Sequence, residues 1–329
     1  MPQPSYPYAC ARISALEKGL VGKAAIKRMA DGSLDDAMRT LLDARYGGIP
    51  DATNADIERM IDGERIRAAR EIQEISPDPK LTDLFLLSTD VHNLKVLLKA
   101  RCLGTSEVAF LEGGLYEREQ LERFVSEQDY AALPEKLAES LVRLEERLRI
   151  RVEPQRISVM LDYGYLAHCM EAAKKIREPF VRQYFTAMCD FDNLITFLRL
   201  RAMGSAKEDL KEMLLPQGEI APERLLEAYE LSSESLLALL EKNSAREALS
   251  RGLNEMLRSG NIGALEKERD NYLLSLVNAH RHDSTTIFPV VGYYLARQRE
   301  AQAIRLIVTV KKNGLDDGVI AERLRELYG

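Results

Sequence analysis

Cysteine is scarce in this sequence, and its few cysteines are far apart. They stand at Cys10, Cys102, Cys169 and Cys189. They form no CxxC pair, the spacing that zinc sites and redox motifs use, and they lack the density of a secreted disulfide scaffold. This pattern favours a reducing, cytoplasmic setting.

Long apolar runs and an excess of positive charge are also missing. No uncharged apolar stretch of about 18 residues occurs, and the first residues do not combine a charged start with an apolar run. We therefore expect no membrane span and no secretory leader. The net charge is -6 and the pI is near 5.5, so we expect no nucleic-acid partner.

Motifs of catalysis and nucleotide binding are missing too. GLVGKAA at 19–25 lacks the upstream glycine and the Ser or Thr of a phosphate-binding loop, and GxSxG and HExxH do not occur. His92 and His168 lie on helical patterns, as solvated or core histidines do. His280 and His282 have no further metal ligands near them in the sequence. We predict no enzyme activity, cofactor, metal ion or small-molecule substrate.

Apolar residues at three- and four-residue steps are abundant. With 46% hydrophobic residues in 329, the chain can bury at least one large core, and alternating strand-like runs are nearly absent. From Glu178 onward the apolar series predicts one helix of about 25 residues. The predicted fold class is all-α.

One polar motif stands twice, one hundred residues apart, as DVHNLKVLLKARCLG and DFDNLITFLRLRAMG. Both copies carry an acid, an amide, a base and a glycine at positions 0, 3, 11 and 14: Asp90, Asn93, Arg101 and Gly104, then Asp190, Asn193, Arg201 and Gly204. A weaker third copy, EAQAIRLIVTVKKNG, keeps Glu300, Lys311 and Gly314, with Ala303 in place of the amide.

On a helix, these motif positions share one face, roughly 120° around from the apolar stripe. The acid and the base lie about 16 Å apart along the axis, too far to pair, so each needs a partner on another element. One interpretation is that the residues cap and tie neighbouring helices, with the glycine ending its own helix. The other is an acid-base site. Repetition within one architecture favours the first.

The repeat predicts three units of roughly 105 residues. We place them at 1–110, 111–210 and 211–329, with approximate boundaries and no flexible linkers. LEGGLYEREQLERF from Leu111 and LPQGEIAPERLLEAY from Leu215 extend the repeat beyond its first motif. Because Ala303 replaces the amide, full equivalence of the third unit stays open.

The sequence resembles the C subunit of the V/A-type rotary ATPases, the family of the eukaryotic vacuolar ATPase d subunit. The motifs at Asp90 and Asp190 carry this resemblance, together with YPYACARISALEKGLVG, DDAMRTLLDARYGG, FPVVGYYLARQREAQAIRLIVTVKKNGL and LRELYG. The resemblance implies three pseudo-equivalent helical units, arranged as a funnel or cup around a pseudo-threefold axis.

The resemblance also implies a function. The chain would be a non-catalytic, peripheral socket on the cytoplasmic side of the membrane, transmitting torque for proton or sodium-ion transport. Its partners would be the central-axle subunits of the ATP-driven motor and the membrane rotor ring. We expect the charged motif residues to line the cup wall. The transported ion, the direction of ATP turnover and the contact residues stay open.

Two other interpretations remain. A free-standing α-helical repeat adaptor would bind protein partners on a concave face, but its repeats would be about 34 to 47 residues long, much shorter than those predicted here. An all-α enzyme would need a clustered polar pocket.

Overall fold

The structure is a computed structural model that describes residues 4–106, 108–175, 178–232 and 235–328. Over these residues the chain forms helices, turns and loops, with no β-strand. The all-α prediction is therefore confirmed. Within the same ranges, none of the helices combines the length and apolar character needed to cross a bilayer.

The α-helices are, in chain order, α1 (Tyr6–Leu16), α2 (Gly22–Asp31), α3 (Leu34–Asp43), α4 (Ile57–Ile75), α5 (Pro79–Leu103), α6 (Arg118–Glu127), α7 (Glu135–Leu148), α8 (Pro154–Lys175), α9 (Pro179–Ala202), α10 (Lys207–Met213), α11 (Pro222–Ala228), α12 (Ser235–Leu239), α13 (Arg246–Ser259), α14 (Gly263–Ala279), α15 (Phe288–Lys312) and α16 (Gly318–Arg323). The helix predicted from Glu178 is α9.

Packing divides the chain into two compact units, and the first of them combines the two ends of the chain. Unit 1 holds the residues up to Thr89, Leu111–Leu115 and the residues from Leu274 onward. Its apolar core joins α2, α3, α4 and α15. Unit 2 holds Asp90–Phe110 and Tyr116–Leu273, where α8 packs against both α7 and α9. The division into three units and the funnel stay predictions.

The three motif copies lie on the three long helices α5, α9 and α15, of 25, 24 and 25 residues. A proline stands in the first turn of each: Pro79, Pro179 and Pro289. Proline suits this place because the first N–H groups of a helix have no partner within the helix. The sequence thus marks the start of each long helix.

The motif glycines end these helices. Gly104, Gly204 and Gly314 have φ values of 68°, 67° and 61°, in the left-handed region that glycine adopts without strain. The residue after each glycine donates its N–H to the carbonyl five residues earlier, as Ser205 does to Leu200 at 3.0 Å. This bond satisfies a carbonyl that the helix leaves unpaired, as in a Schellman motif.

We expect Gly204→Ala to lower the free energy of unfolding by about 1 kcal/mol, because the alanine would have to hold a left-handed backbone. Beyond the adjoining residues, no heavy atom lies within 4 Å of where the new Cβ would stand, so the loss is a backbone effect. Urea unfolding measures it. Gly204→Asn should lose less, since asparagine tolerates this conformation better. Equal losses for the two variants would contradict this explanation.

Candidate functional site

Each of the three helices that carry the motif binds a shorter helix by hydrogen bonds near both ends of the shorter one. The motif acid accepts backbone N–H groups that lie at or just before the shorter helix. The motif base, eleven residues further on, donates to a carbonyl at or beyond its last turn. The pairs are α9 with α11, α5 with α6, and α15 with α2. We call each pair, with its acid end and its base end, a helix clamp.

Asp190 forms the acid end of the α9–α11 clamp. Its buried carboxylate accepts the N–H of Ile220 on Oδ1 and the N–H of Glu219 on Oδ2, both at 3.0 Å. Oδ2 also accepts the Asn243 amide at 2.7 Å. Burial raises the pKa of the Asp190 carboxyl above its ordinary value, and the three donors partly offset this because they favour the ionised form.

Gly218 and Asn193 fix the loop that approaches Asp190. A Cβ at Gly218 would collide with Oδ1 of Asp190, so only glycine fits there. Asn193 is buried and holds Leu215 on both sides, donating to its carbonyl at 2.8 Å and accepting its N–H at 2.9 Å. The amide and the carboxylate of α9 therefore bind neighbouring stretches of the same loop.

Arg201 forms the base end of this clamp. Its Nη2 donates to the Leu231 carbonyl at 2.8 Å, just beyond α11, where the carbonyls are not bonded within the helix. The guanidinium lies 5.6 Å from the centre of the Phe197 ring, and Tyr229 meets that ring edge-on at 5.4 Å. Tyr229 also donates its hydroxyl to the Ser205 carbonyl at 2.9 Å.

The α5–α6 clamp has the same two ends. Asp90 is buried and accepts the Tyr116 N–H at 3.3 Å. Arg101 donates Nη1 to the Val125 carbonyl in the last turn of α6 at 2.6 Å. Its Nη2 lies 2.8 and 2.7 Å from the two carboxylate oxygens of Glu145. Here the base also ties α5 to α7.

The α15–α2 clamp joins the two ends of the chain. Glu300 is buried and accepts the N–H groups of Val21 and Gly22, the latter at 3.0 Å. Lys311 donates to the Ala30 carbonyl in the last turn of α2 at 2.8 Å. Burial raises the pKa of Glu300 above its ordinary value, as it does for Asp190. If three units exist, one of them combines both ends of the chain.

The sequence contains a signal for the pairing of α2 with α15. LEKGLVG at 16–22 matches LEGGLYE at 111–117 and LPQGEIA at 215–221, with leucine and glycine at the same places. The N–H groups of Val21, Tyr116 and Ile220, which reach the three motif acids, stand at one position of this alignment. A search that follows the chain order does not find this copy, because it precedes its own long helix.

The motif residues differ in how they meet solvent. The five side chains at the acid ends are buried within their own units, although we expected the charged ones to line a cup wall: Asp90, Asn93, Asp190, Asn193 and Glu300. For all of them but Asn93, the structure shows the backbone groups that they bind, and such groups lose water on packing. Arg101 and Arg201 keep partial exposure. Contact of the motif with partner subunits stays a prediction.

His92, His280 and His282 each have a contact of their own. His92 bonds the Ala109 carbonyl at 3.3 Å, and the ring of His280 lies 4.8 Å from that of Phe288. His282 accepts from Arg281 at 2.9 Å. Within the described ranges, no group of three or more His, Cys, Asp or Glu side chains is placed to hold a metal ion.

We expect Arg101→Met to lower the free energy of unfolding by about 2 kcal/mol, because the mostly buried Glu145 carboxylate loses its cation and the Val125 carbonyl loses a donor. Guanidinium chloride unfolding measures it. The control is Arg118→Met, which removes an exposed ion pair with Glu122 and should cost below about 0.5 kcal/mol. Equal effects would show that the clamp contact adds nothing.

The comparisons with known proteins agree with one another. The family model of the ATP synthase (C/AC39) subunit matches residues 9–323. The C subunit of the V-type sodium ATPase of Enterococcus hirae is 22% identical, over 96% of this chain and 97% of that protein. The C subunit of the A-type ATP synthase of Pyrococcus abyssi is 23% identical, over 98% and 90%. The C subunit of the V-type ATP synthase of Thermus thermophilus is 29% identical, over 62% and 65%.

These matches confirm the resemblance seen in the sequence. The family model covers nearly the whole chain, including the three long helices that carry the motif and the N-terminal α2 that completes the third clamp. They favour an ATPase subunit over a free-standing repeat adaptor. The chain belongs to the ATP synthase (C/AC39) subunit family, which holds the C subunits of the V/A-type ATPases.

Proposed function

We propose that this chain is the non-catalytic central-stalk socket of a V/A-type ATPase. It sits on the cytoplasmic side of the membrane and links the rotating axle of the ATP-driven motor to the membrane rotor ring. In this position it passes torque between them for ion transport. Family membership supports the assignment to the complex. The observation that supports docking is an apolar surface at one end of unit 2.

The apolar end surface consists of large aliphatic side chains that are 45 to 88% exposed: Leu103, Ile150, Val152, Met203 and Leu231. Large exposed aliphatic residues are common as single side chains on a protein surface, but a group of them marks a docking site. These five belong to four different segments of the chain: the end of α5, the α7–α8 connection, the end of α9 and the turn after α11.

Polar contacts bring these segments to one end of unit 2. Near the end of α5, Lys99 donates to Ser158 in the first turns of α8 at 2.7 Å. There Arg156 reaches Asp209 in α10 at 3.1 Å, and α10 directly follows the end of α9. The Leu231 carbonyl is held by the base end of the α9–α11 clamp. The five side chains thus belong to segments that meet at this end of unit 2.

This surface fits a partner that is held in the membrane. A chain that binds a rotor ring stably must bury apolar surface against it. Burial of each large aliphatic side chain contributes about 1.5 to 3 kcal/mol. Arg149 and Arg151 flank Ile150 in the sequence, and both are exposed. We therefore assign the apolar end surface to the rotor ring.

A binding experiment tests this assignment. We expect the double variant Leu103→Asp, Ile150→Asp to bind membranes that contain the rotor ring, stripped of this chain, at least about tenfold more weakly than the unchanged chain in co-sedimentation. The control is Val142→Asp, another exposed aliphatic residue of unit 2, which lies in the middle of α7 and not at its end. The assignment fails if the double variant binds as well as the control.

A further inference from the structure

We propose that the helix clamps carry the torque inside this chain, with the motif acids and bases as the positioning residues for coupling. This inference rests on the proposed function as a socket. It assigns to the repeated motif a mechanical role beyond the stability that its hydrogen bonds supply. It also identifies the contact whose loss would allow slippage, namely the base end of each clamp.

The clamp adds direction to a contact that is otherwise apolar. Hydrophobic contact is itself non-directional, so apolar packing resists the sliding or pivoting of two helices only through the interdigitation of their side chains. Hydrogen bonds to charged groups are directional and stronger than neutral ones. Because the acid and the base lie about 16 Å apart along the long helix, the two fixed points together prevent pivoting about either one.

In unit 2 the base ends lie where the proposed load enters. Arg201 holds the Leu231 carbonyl, and the Leu231 side chain belongs to the apolar end surface. Arg101 stands two residues before Leu103, which belongs to the same surface. A tangential force on this surface therefore pulls first on the base ends. The acid ends hold the shorter helices at the other side of each clamp.

In unit 1 the third clamp likewise holds a shorter helix against its long helix. Force along α15 would pull α2 away from it, because the two helices belong to opposite ends of the chain and no short loop connects them. Glu300 and Lys311 fasten α2 at both of its ends. Each of the three helices that carry the motif thus has a non-covalent fastening, with the acid nearer the start of the helix and the base nearer its end.

A base-end substitution can remove the fastening without removing the packing. In Arg201→Met an apolar side chain takes the place of the arginine, while the contact of the guanidinium with the Phe197 ring and the bond to the Leu231 carbonyl are lost. Arg201→Lys keeps a positive donor that can reach the carbonyl. The matched control is Leu253→Val on α13, a buried position in unit 2 outside every clamp, which lowers stability through packing alone.

The test measures the number of ions transported per ATP hydrolysed by the complete complex, with this chain replaced by each variant, while an opposing ion gradient is raised. We expect all variants to match the unchanged chain without a gradient. Near the highest gradient that the unchanged complex sustains, the number of ions transported per ATP should fall by at least half in Arg201→Met. Arg201→Lys should retain most of it, and Leu253→Val should keep the full ratio.

Two results would overturn the inference. In the first, Arg201→Met transports as many ions per ATP as the unchanged chain at every gradient. In the second, Leu253→Val loses as much of this ratio as Arg201→Met does. In the second case coupling follows stability alone, and the clamps have no special part. The proposed function fails in a different way. If complexes lacking the chain transport ions as well as complete ones, the chain is no socket, and the clamps have no torque to carry.

Discussion

Asp190→Ala is expected to lower the free energy of unfolding by about 3 to 4 kcal/mol, the largest effect of any motif substitution. The carboxylate is buried and accepts the N–H groups of Glu219 and Ile220 and the amide of Asn243. Alanine leaves these donors without an acceptor, and each buried donor without a partner costs about 1 to 3 kcal/mol. Chemical unfolding of the whole chain measures the loss.

Asp190→Asn tests whether the loss comes from the charge and the acceptor atoms of Asp190 or only from the size of its side chain. The side chain keeps its shape, but one of its two ends becomes a donor that faces donors, so we still expect a loss of about 2 kcal/mol. Glu223→Ala serves as the control, because this exposed carboxylate on α11 should cost below about 0.5 kcal/mol. If Asp190→Asn is as stable as the unchanged chain, Asp190 is not an acceptor on both sides.

Arg297→Met is expected to lower the free energy of unfolding by about 4 kcal/mol, because the buried Glu300 carboxylate loses this cation. The buried Glu64 carboxylate loses it too and keeps its other ion pair, with Arg67. The Arg297 Nη1 lies 3.2 Å from Oε2 of Glu300 and 3.6 Å from Oε2 of Glu64, and all three side chains are buried. Nε also donates to the Tyr293 hydroxyl at 3.2 Å. Through Glu300 this arginine supports the acid end of the α15–α2 clamp.

The loss for Arg297→Met should depend on pH. Burial already raises the pKa of Glu300 above 4.5, so its ionised form is disfavoured in the folded chain. Removing the cation raises that pKa further. Folding then binds protons, and the variant loses stability as pH rises from 4.5 through the raised value. The deficit should be larger at neutral pH than in mild acid.

An exposed ion pair serves as the control for the buried ion pairs of Arg297. Arg258→Met removes an ion pair with Glu255 at 2.7 Å on α13, where both side chains are largely in solvent, and we expect no measurable change in the unfolding midpoint across the same pH range. A deficit for Arg297→Met that does not change with pH would show that the loss comes from packing of the arginine stem.

The long helices could be predicted from the sequence because their signals are local. Apolar steps of three and four residues, a proline in the first turn and a glycine at the end are read directly from the chain. The eleven-residue spacing also shows correctly that Asp190 and Arg201 cannot pair with each other. These signals need no knowledge of the tertiary fold.

The partners of the motif could not be predicted in the same way. The donors to Asp190 lie 29, 30 and 53 residues away, and the Lys311 acceptor lies 281 residues earlier in the chain. Backbone N–H and carbonyl groups occur at every residue, so they leave no compositional trace. Only the alignment of LEKGLVG with LEGGLYE and LPQGEIA indicates which backbone groups these are.

The most direct test of the central claim, that this chain couples the axle to the rotor ring, uses complexes from which the chain has been removed. ATP-driven ion transport into sealed vesicles is measured together with ATP hydrolysis, before and after the purified chain is added back. We predict hydrolysis with little transport in its absence, and transport restored on its addition. Full transport without the chain would contradict the account.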